Sequence, residues 1–286
     1  MSSHRAIDSP VHIRPPAVAG TFYPGDAQTL DREVRAYMDG VDPSLRQAVQ
    51  QSDQFIRAII GPHAGYRYSA PIAASAYTFV EPLRGKINRV VLIGPSHYVS
   101  FAGIACSSAA AFDTPLGAVP VDVSTVQELT PIPDVHINDY AHAPEHGLEV
   151  HLPLLIHTIG RTNEPGCAGF SIVPLLFGDV DDEVVAKVLD PFMDDDKTLI
   201  VISSDLSHYN DYDTASALDR ETADAIVNGQ PDFITPDRAC GHTCIRALLR
   251  CVAARGLGVT EVDLRNSGDT SGTRDSVVGY GAFIIR

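Results

Sequence analysis

Three apolar runs in this chain each end by delivering a histidine. Residues 56–63 read IRAIIGPH, residues 90–97 read VVLIGPSH, and residues 199–208 read LIVISSDLSH. A tyrosine follows each histidine closely: Tyr66, Tyr98 and Tyr209. A lone histidine after a strand is most often a surface or capping residue. Three in the same position point to a shared centre, provided the strands are neighbours. Neutral imidazole is a common ligand for zinc, copper and iron, and a thiolate adds a soft donor. Cys240 is the one cysteine just ahead of a predicted helix, where the positive end of the helix favours the thiolate. Asp205 stands three residues before His208, placed to orient an imidazole or to act as a base. His146 lies near the start of another predicted helix, from which it can point into the same site.

Some familiar motifs are refused. His146, Glu149 and His151 approach H-x-x-E-H but carry an extra residue between Glu149 and His151, which removes a metalloprotease reading. Residues 94–98 lack the second glycine of a G-x-S-x-G elbow. No C-x-x-C pair is present for a closed structural zinc site.

The elements that must position these residues follow from pattern. The run 90–97 suits a strand covered on both faces, and Pro95, with no N–H, ends its ladder. Such strand ends are where open α/β sheets place ligands. An Ala-rich helix over 69–80 between two of the strands makes a strand–helix–strand unit, which implies parallel strands. Asp26 caps a helix with Leu30, Val34 and Met38 at helical spacing and Gly40 at its end. Residues 145–159 are predicted helical with Pro153 bending the helix; His151 and His157 then face solvent or a neighbouring element. Helices are also predicted at 213–228 and 242–255, and closing strands at 258–264 and 277–285. Residues 41–54 read as a polar surface connection. Residues 1–13 read as a loose arm, and 14–24 as a strap over the core in which Phe22 or Tyr23 walls a pocket. With no linker or repeat, residues 1–286 form one α/β domain with a mostly parallel or mixed central sheet flanked by helices.

A net charge of −15 argues against nucleic acid or an anionic membrane as the main partner. No run reaches the roughly 18 apolar residues of a membrane helix, and no secretory h-region is visible. Five cysteines at irregular spacing suit reduced thiols in a cytoplasm better than a disulfide framework.

The motifs RPPAVAGTFYP, PHAGYRYSA, GPSHY, EHGLEVHLPLL, SSDLSHY, ACGHTCI and SVVGY occur in this order. In this the chain resembles the Memo family, whose bacterial and archaeal members are called AmmeMemoRadiSam system protein B. The resemblance covers nearly the whole chain. It implies a fold similar to the LigB-type class III extradiol dioxygenases, which use non-haem iron(II). It implies His63, His97 and Cys240 as metal ligands, with iron(II) or copper as the metal and zinc also possible. His208 resembles the acid/base histidine of those dioxygenases, Asp205 an aspartate of the same pocket, and His146 a further pocket histidine; Tyr66 and Phe22 are placed in that pocket too. A cysteine stands where those dioxygenases hold a carboxylate, which shifts preference toward copper or zinc. The family name further implies a functional link to a radical-SAM protein and a companion protein.

Three functions are consistent with these residues. The first is a cytoplasmic metal-binding redox protein, an iron- or copper-dependent oxidoreductase in which His208 and Asp205 move protons. The second is a non-enzymatic adaptor that binds a peptide or small ligand in the same pocket; animal members of the family that the chain resembles are described as adaptors in cell motility. The third is a thiol hydrolase using Cys240 with His208 and Asp205.

Overall fold

The three histidine-bearing runs become adjacent strands, because each is apolar on both faces and leaves no face for water. The computed structural model describes residues 12–51, 54–160, 168–270 and 272–286. Its strands are β1 (Ile13–Arg14), β2 (Ala58–Gly61), β3 (Arg89–Pro95), β4 (Ile104–Cys106), β5 (Ala111–Phe112), β6 (Val119–Pro120), β7 (Val135–Ile137), β8 (Ser171–Phe177), β9 (Thr198–Ser203), β10 (His208–Asn210), β11 (Val259–Asn266) and β12 (Val277–Ile285). Its α-helices are α1 (Ala27–Asp39), α2 (Pro43–Gln50), α3 (Tyr66–Val80), α4 (Val123–Leu129), α5 (Asp139–His142), α6 (His151–Ile159), α7 (Asp182–Leu189), α8 (Tyr212–Val227), α9 (His242–Arg255) and α10 (Ser267–Thr270). The main sheet runs β10-β12-β2-β9-β3-β8-β4-β7, with β11 on β12, and β1, β5 and β6 form a small second sheet. The chain is a single α/β domain with a mixed sheet flanked by helices, the predicted class.

Strands β2, β9, β3 and β8 are mutually parallel, while β12 and β4 pair antiparallel on either side of them. The unit β2–α3–β3 therefore has its parallel strands, but β9 is inserted between them. Gly61 aligns with Ser203, and Ile93 with Ile202, so the three strands end level. Pro95 acts on one side only. Pairing with β9 stops at Ile93, whereas pairing with β8 continues to Pro95. The Ser96 N–H bonds Phe177 on the β8 side, so the proline nitrogen, which has nothing to donate, faces β9.

Several local predictions are corrected. Residues 41–54 contain α2, capped by the Asp42 carboxylate on the Ser44 N–H with Pro43 in the first turn. No residue of α2 is fully buried, and its apolar stripe is only Leu45 and Val49, half-buried against the core, too short to read as a helix. The predicted 145–159 helix starts only at His151. Pro153 thus falls in the first turn, where its missing N–H has no partner to lose, and no bend is needed. The predicted loose arm is anchored at its end, since Ile13 and Arg14 pair with Ala111 and Phe112; residues 1–11 lie outside the described residues. Cys106, Cys240, Cys244 and Cys251 are free thiols, and Cys167 lies outside the described residues. Among the described residues no helix is long and apolar enough to cross a membrane.

Asp219 of α8 supports the loop between β9 and β10. Its Oδ1 accepts the Ser207 N–H at 2.9 Å. A Cβ on Gly279 would lie 1.9 Å from its Oδ2, so only glycine lets β12 pass there. Burial pushes the Asp219 carboxyl up from 3.8 to about 6. The folded chain keeps this proton up to about pH 6, whereas the unfolded chain loses it near 3.8. The group therefore stabilises the fold fully below the unfolded value, and that stabilisation is lost as pH rises through the folded one. From about pH 4 to pH 7, urea denaturation of Asp219→Asn against wild type is expected to shift by about 2–3 kcal/mol in the variant's favour. A difference independent of pH contradicts this assignment.

Candidate metal centre

His63 and His97 each follow a strand end by two residues, His63 after β2 and His97 after β3. The His63 Nδ1 lies 2.7 Å from Ser203 Oγ at the end of β9. The Ser203 hydroxyl donates its own proton to the Gly147 carbonyl at 2.6 Å. Its oxygen must therefore accept from Nδ1–H, which leaves the His63 Nε2 with a bare lone pair. The His97 Nδ1 lies 2.8 Å from Glu145 Oε1, and its backbone N–H donates to Oε2 at 2.7 Å. A carboxylate only accepts, so His97 also carries its proton on Nδ1 and frees Nε2. His146 presents Nδ1 to the Tyr98 hydroxyl at 3.1 Å and to Glu145 Oε1 at 3.4 Å.

The three rings meet. Ring centroids are 4.9 Å apart for His63 and His97, 4.5 Å for His97 and His146, and 5.5 Å for His63 and His146. One ligand atom from each lies within 4.8 Å of the other two. Burial, then the neighbouring imidazoles, hold His63 well below the usual histidine range. Burial lowers His146 to about 4. Both are neutral at neutral pH, which is the ligating form. Burial opposes ionisation of Glu145, but hydrogen bonds from the His97 ring and from the His97 and Gly147 N–H groups hold its carboxyl below the usual range. The rings of His63 and His97 are thus each fixed from behind by an acceptor, as in metal sites whose outer hydrogen bonds set the tautomer.

Cys240 abuts this group through His63, its Sγ 3.3 Å from Nε2. Zinc-like bond lengths and a tetrahedral angle put sulfur and imidazole nitrogen on one ion roughly 3.5 Å apart, so the pair suits co-ligation. The sulfur also accepts the Asp205 N–H at 3.2 Å. The predicted lowering of this thiol does not occur. Burial, then the Asp205 carboxylate, push it up to about 12, outweighing the start of α9.

Asp205 is buried, and its Oδ1 accepts the His63 backbone N–H at 2.7 Å. Burial raises its pKa, with the His63 N–H and the nearby His208 pulling the other way. His208 reaches the site from β10, where the register against β12 shifts between His208 and Asn210. Tyr209 sits in this irregularity at φ 62, a conformation that non-glycine residues seldom adopt. His63, His97, His146, Asp205 and His208 share the wall of one cavity of about 820 Å³. Phe22 closes one side, its ring 4.8 Å from that of His146. Tyr66 points away from the cavity, donating its hydroxyl to the Val150 carbonyl and packing on Tyr23 and Tyr37. Tyr68 lines the wall in its place. His151 is buried against the Tyr77 hydroxyl at 3.0 Å.

Sequence reasoning missed the residues that hold the ligands. Ser203 and Glu145 were visible only as neighbours of Asp205 and His146. Glu149 is fully buried and takes the Arg14 guanidinium at 2.7 Å, the Tyr23 hydroxyl at 2.6 Å and the Ala17 and Val18 N–H groups. Arg14 in turn donates to the carbonyls of His142 and Glu145. The strap 14–24 is therefore fastened to the segment that carries Glu145 and His146. The second aromatic of the strap, Tyr23, belongs to this fastening and not to the cavity wall.

Comparison with known proteins agrees with this arrangement in extent. The family model of Memo-like proteins matches residues 14–284. A MEMO1 family protein of Methanosarcina mazei is 32% identical over 290 residues, covering 96% of this chain and 100% of its own length. One from Aquifex aeolicus is 33% identical over 285 residues, again 96% of this chain and 100% of its own length. One from Sulfolobus acidocaldarius is 32% identical over 286 residues, 94% of this chain and 97% of its own. A match that spans the strap, all three strand ends and the cysteine before α9 is a match of the whole fold: the chain belongs to the Memo family.

Proposed function

We propose that this chain is a metal-binding redox protein, an iron- or copper-dependent oxidoreductase whose ion is held by His63, His97 and a third donor supplied by Cys240 or His146. The observation that carries the reading is the tautomer of the two strand-end histidines. Both have Nδ1–H committed to an acceptor, so both leave Nε2 to ligate, and both belong to a group of three histidines whose ligand atoms come within 4.8 Å of one another beside the cavity. A bound iron or copper ion supplies electron transfer to or from a molecule in the cavity. Glu145 orients His97 and steadies His146, while Ser203 orients His63. Burial raises the Asp205 carboxyl to about 6, near enough to neutral for it to take up and release a proton beside His63, with His208 on the same cavity wall. Phe22, Tyr68 and Tyr280 give that wall its aromatic surface.

The thiol-hydrolase reading finds less support. Cys240 contacts His63 and not His208, and a thiol pushed up to about 12 is not an activated nucleophile. The test is anaerobic loading with iron(II) or copper(I) followed by metal analysis. Wild type is expected to keep an equivalent of metal per chain, and His63→Ala and His97→Ala to lose it with their folds intact by circular dichroism. A wild-type protein that comes out empty with both metals ends the proposal.

A further inference from the structure

Strand β11 stands at an edge of the main sheet: among the described residues it pairs with β12 and with no other strand. Its faces are taken. Helices α3 and α8 pack against it, Ser75 reaching Asp263 and Arg220 reaching Glu261. Its outer edge is not, and every residue from Val259 to Arg265 is half-buried. Which backbone groups that edge presents follows from the ladder. Gly258 and Arg286 exchange both of their hydrogen bonds, at 2.8 and 3.1 Å. In an antiparallel pair such reciprocal partners alternate with partners whose N–H and C=O groups point outward. Val259 and Glu261 therefore face outward. The bulge at Val262 inserts one residue, so Leu264 and Asn266 continue the outward series. Asn266 spends its N–H on Asp269. Among the described residues the N–H groups of Val259, Glu261 and Leu264 meet no acceptor.

Beside this strand lies a cavity of about 750 Å³, within the range of clefts that hold ligands. Val262, Asp263 and Arg265 of β11 form one wall, and Tyr37, Asp42 and Leu45 of the corner from α1 into α2 form another. That space suits a short extended segment. A second copy of this chain does not suit it, because its own β11 arrives with two helices packed on it and two chains of charge −15 repel. The charges also select. Arg265 neutralises Asp263 at 2.6 Å. Asp42 stands exposed, its carboxylate capping α2 with no cation paired to it among the described residues. We propose that β11 and this cleft form a docking site for an extended basic peptide segment of a partner protein, which adds to the sheet as one more strand and sets a lysine or arginine against Asp42. Main-chain hydrogen bonds to Val259, Glu261 and Leu264 supply the affinity, and Asp42 supplies the preference for positive charge. The inference does not depend on a bound metal.

The probe is a pool of short synthetic peptides built from lysine, valine and threonine, compared with the same pool carrying glutamate in place of lysine. Amide hydrogen exchange of the full chain, read by NMR, is expected to slow at Val259, Glu261 and Leu264 with the lysine pool and not with the glutamate pool. The tightest lysine peptide, titrated by calorimetry, is expected to lose affinity about tenfold when alternate main-chain nitrogens are methylated. Against Asp42→Asn it is expected to lose about three- to tenfold, with the fold kept because asparagine caps a helix as well as aspartate does. No slowing at β11 with the lysine pool, equal slowing with the glutamate pool, or an affinity indifferent to methylation or to Asp42→Asn overturns the proposal. Slowing at β11 that appears without peptide as the protein is concentrated, with the mass doubled by light scattering, gives the edge to a second copy and overturns it too.

Discussion

Replacing Glu149 with alanine is expected to destabilise the fold by about 3–5 kcal/mol, the usual cost of removing one partner of a buried ion pair. Arg14 and Glu149 are almost fully buried and meet at 2.7 Å. The pair is well compensated as it stands, because the carboxylate takes four donors and the guanidinium bonds two carbonyls besides. Truncating the glutamate strands a charge where water cannot reach it and releases the Ala17 and Val18 N–H groups and the Tyr23 hydroxyl together. At about 2–4 °C per kcal/mol for a domain of this size, the midpoint of thermal unfolding is expected to fall by roughly 10 °C. Glu149→Gln keeps an acceptor for part of this network and is expected to cost less. A loss below about 1 kcal/mol for the alanine variant, measured by denaturant unfolding, contradicts the role assigned to the strap. The effect is not confined to stability. The strap carries Phe22 against His146, so the same network that fastens the N-terminal segment also walls the candidate metal centre.

Glu145→Gln is expected to weaken metal binding by about 10–100-fold with little change in unfolding midpoint. One carboxylate here serves three hydrogen bonds, from the His97 ring, the His97 N–H and the Gly147 N–H, and lies 3.4 Å from the His146 ring. The amide has one acceptor oxygen in place of two. It cannot receive the His97 ring and the His97 N–H as the carboxylate does, and it withdraws the negative charge that makes His97 a stronger donor. The main-chain carbonyl that Arg14 uses at this residue is untouched, which is why the fold is expected to hold. Metal affinity measured by competition with a chelator checks this. An unchanged affinity would mean that His97 is oriented by something other than Glu145.

The sequence was most readable where the physics is local. Helix α9 runs from His242 to Arg255 and stops at Gly256 in the left-handed conformation, as its periodicity and terminal glycine predicted. Strand β12 spans Val277–Ile285, the apolar run as written. The strand-end histidines were legible because three runs repeat one pattern, and their strands did prove adjacent in the order β2-β9-β3. Helix α2 was not legible, since none of its residues is fully buried and its apolar face is only the pair Leu45 and Val49, half-buried against the core. The start of α6 was misplaced because Leu148 and Val150 are buried from a turn, and a turn can imitate helical spacing for a few residues. The supporting residues were hardest of all. Arg14 meets Glu149 across 135 positions, and His63 meets Ser203 across 140. No spacing rule reaches that far, so a glutamate like Glu149 reads as a failed motif until the fold brings its partners to it.

The most direct measurement is X-ray absorption at the metal edge of wild-type protein loaded without oxygen. Imidazole scattering from at least two histidines, lost in His63→Ala and His97→Ala, is the predicted result. A shell of oxygen atoms alone, indifferent to both substitutions, would place the ion elsewhere and leave the paired tautomers of His63 and His97 without the role given to them.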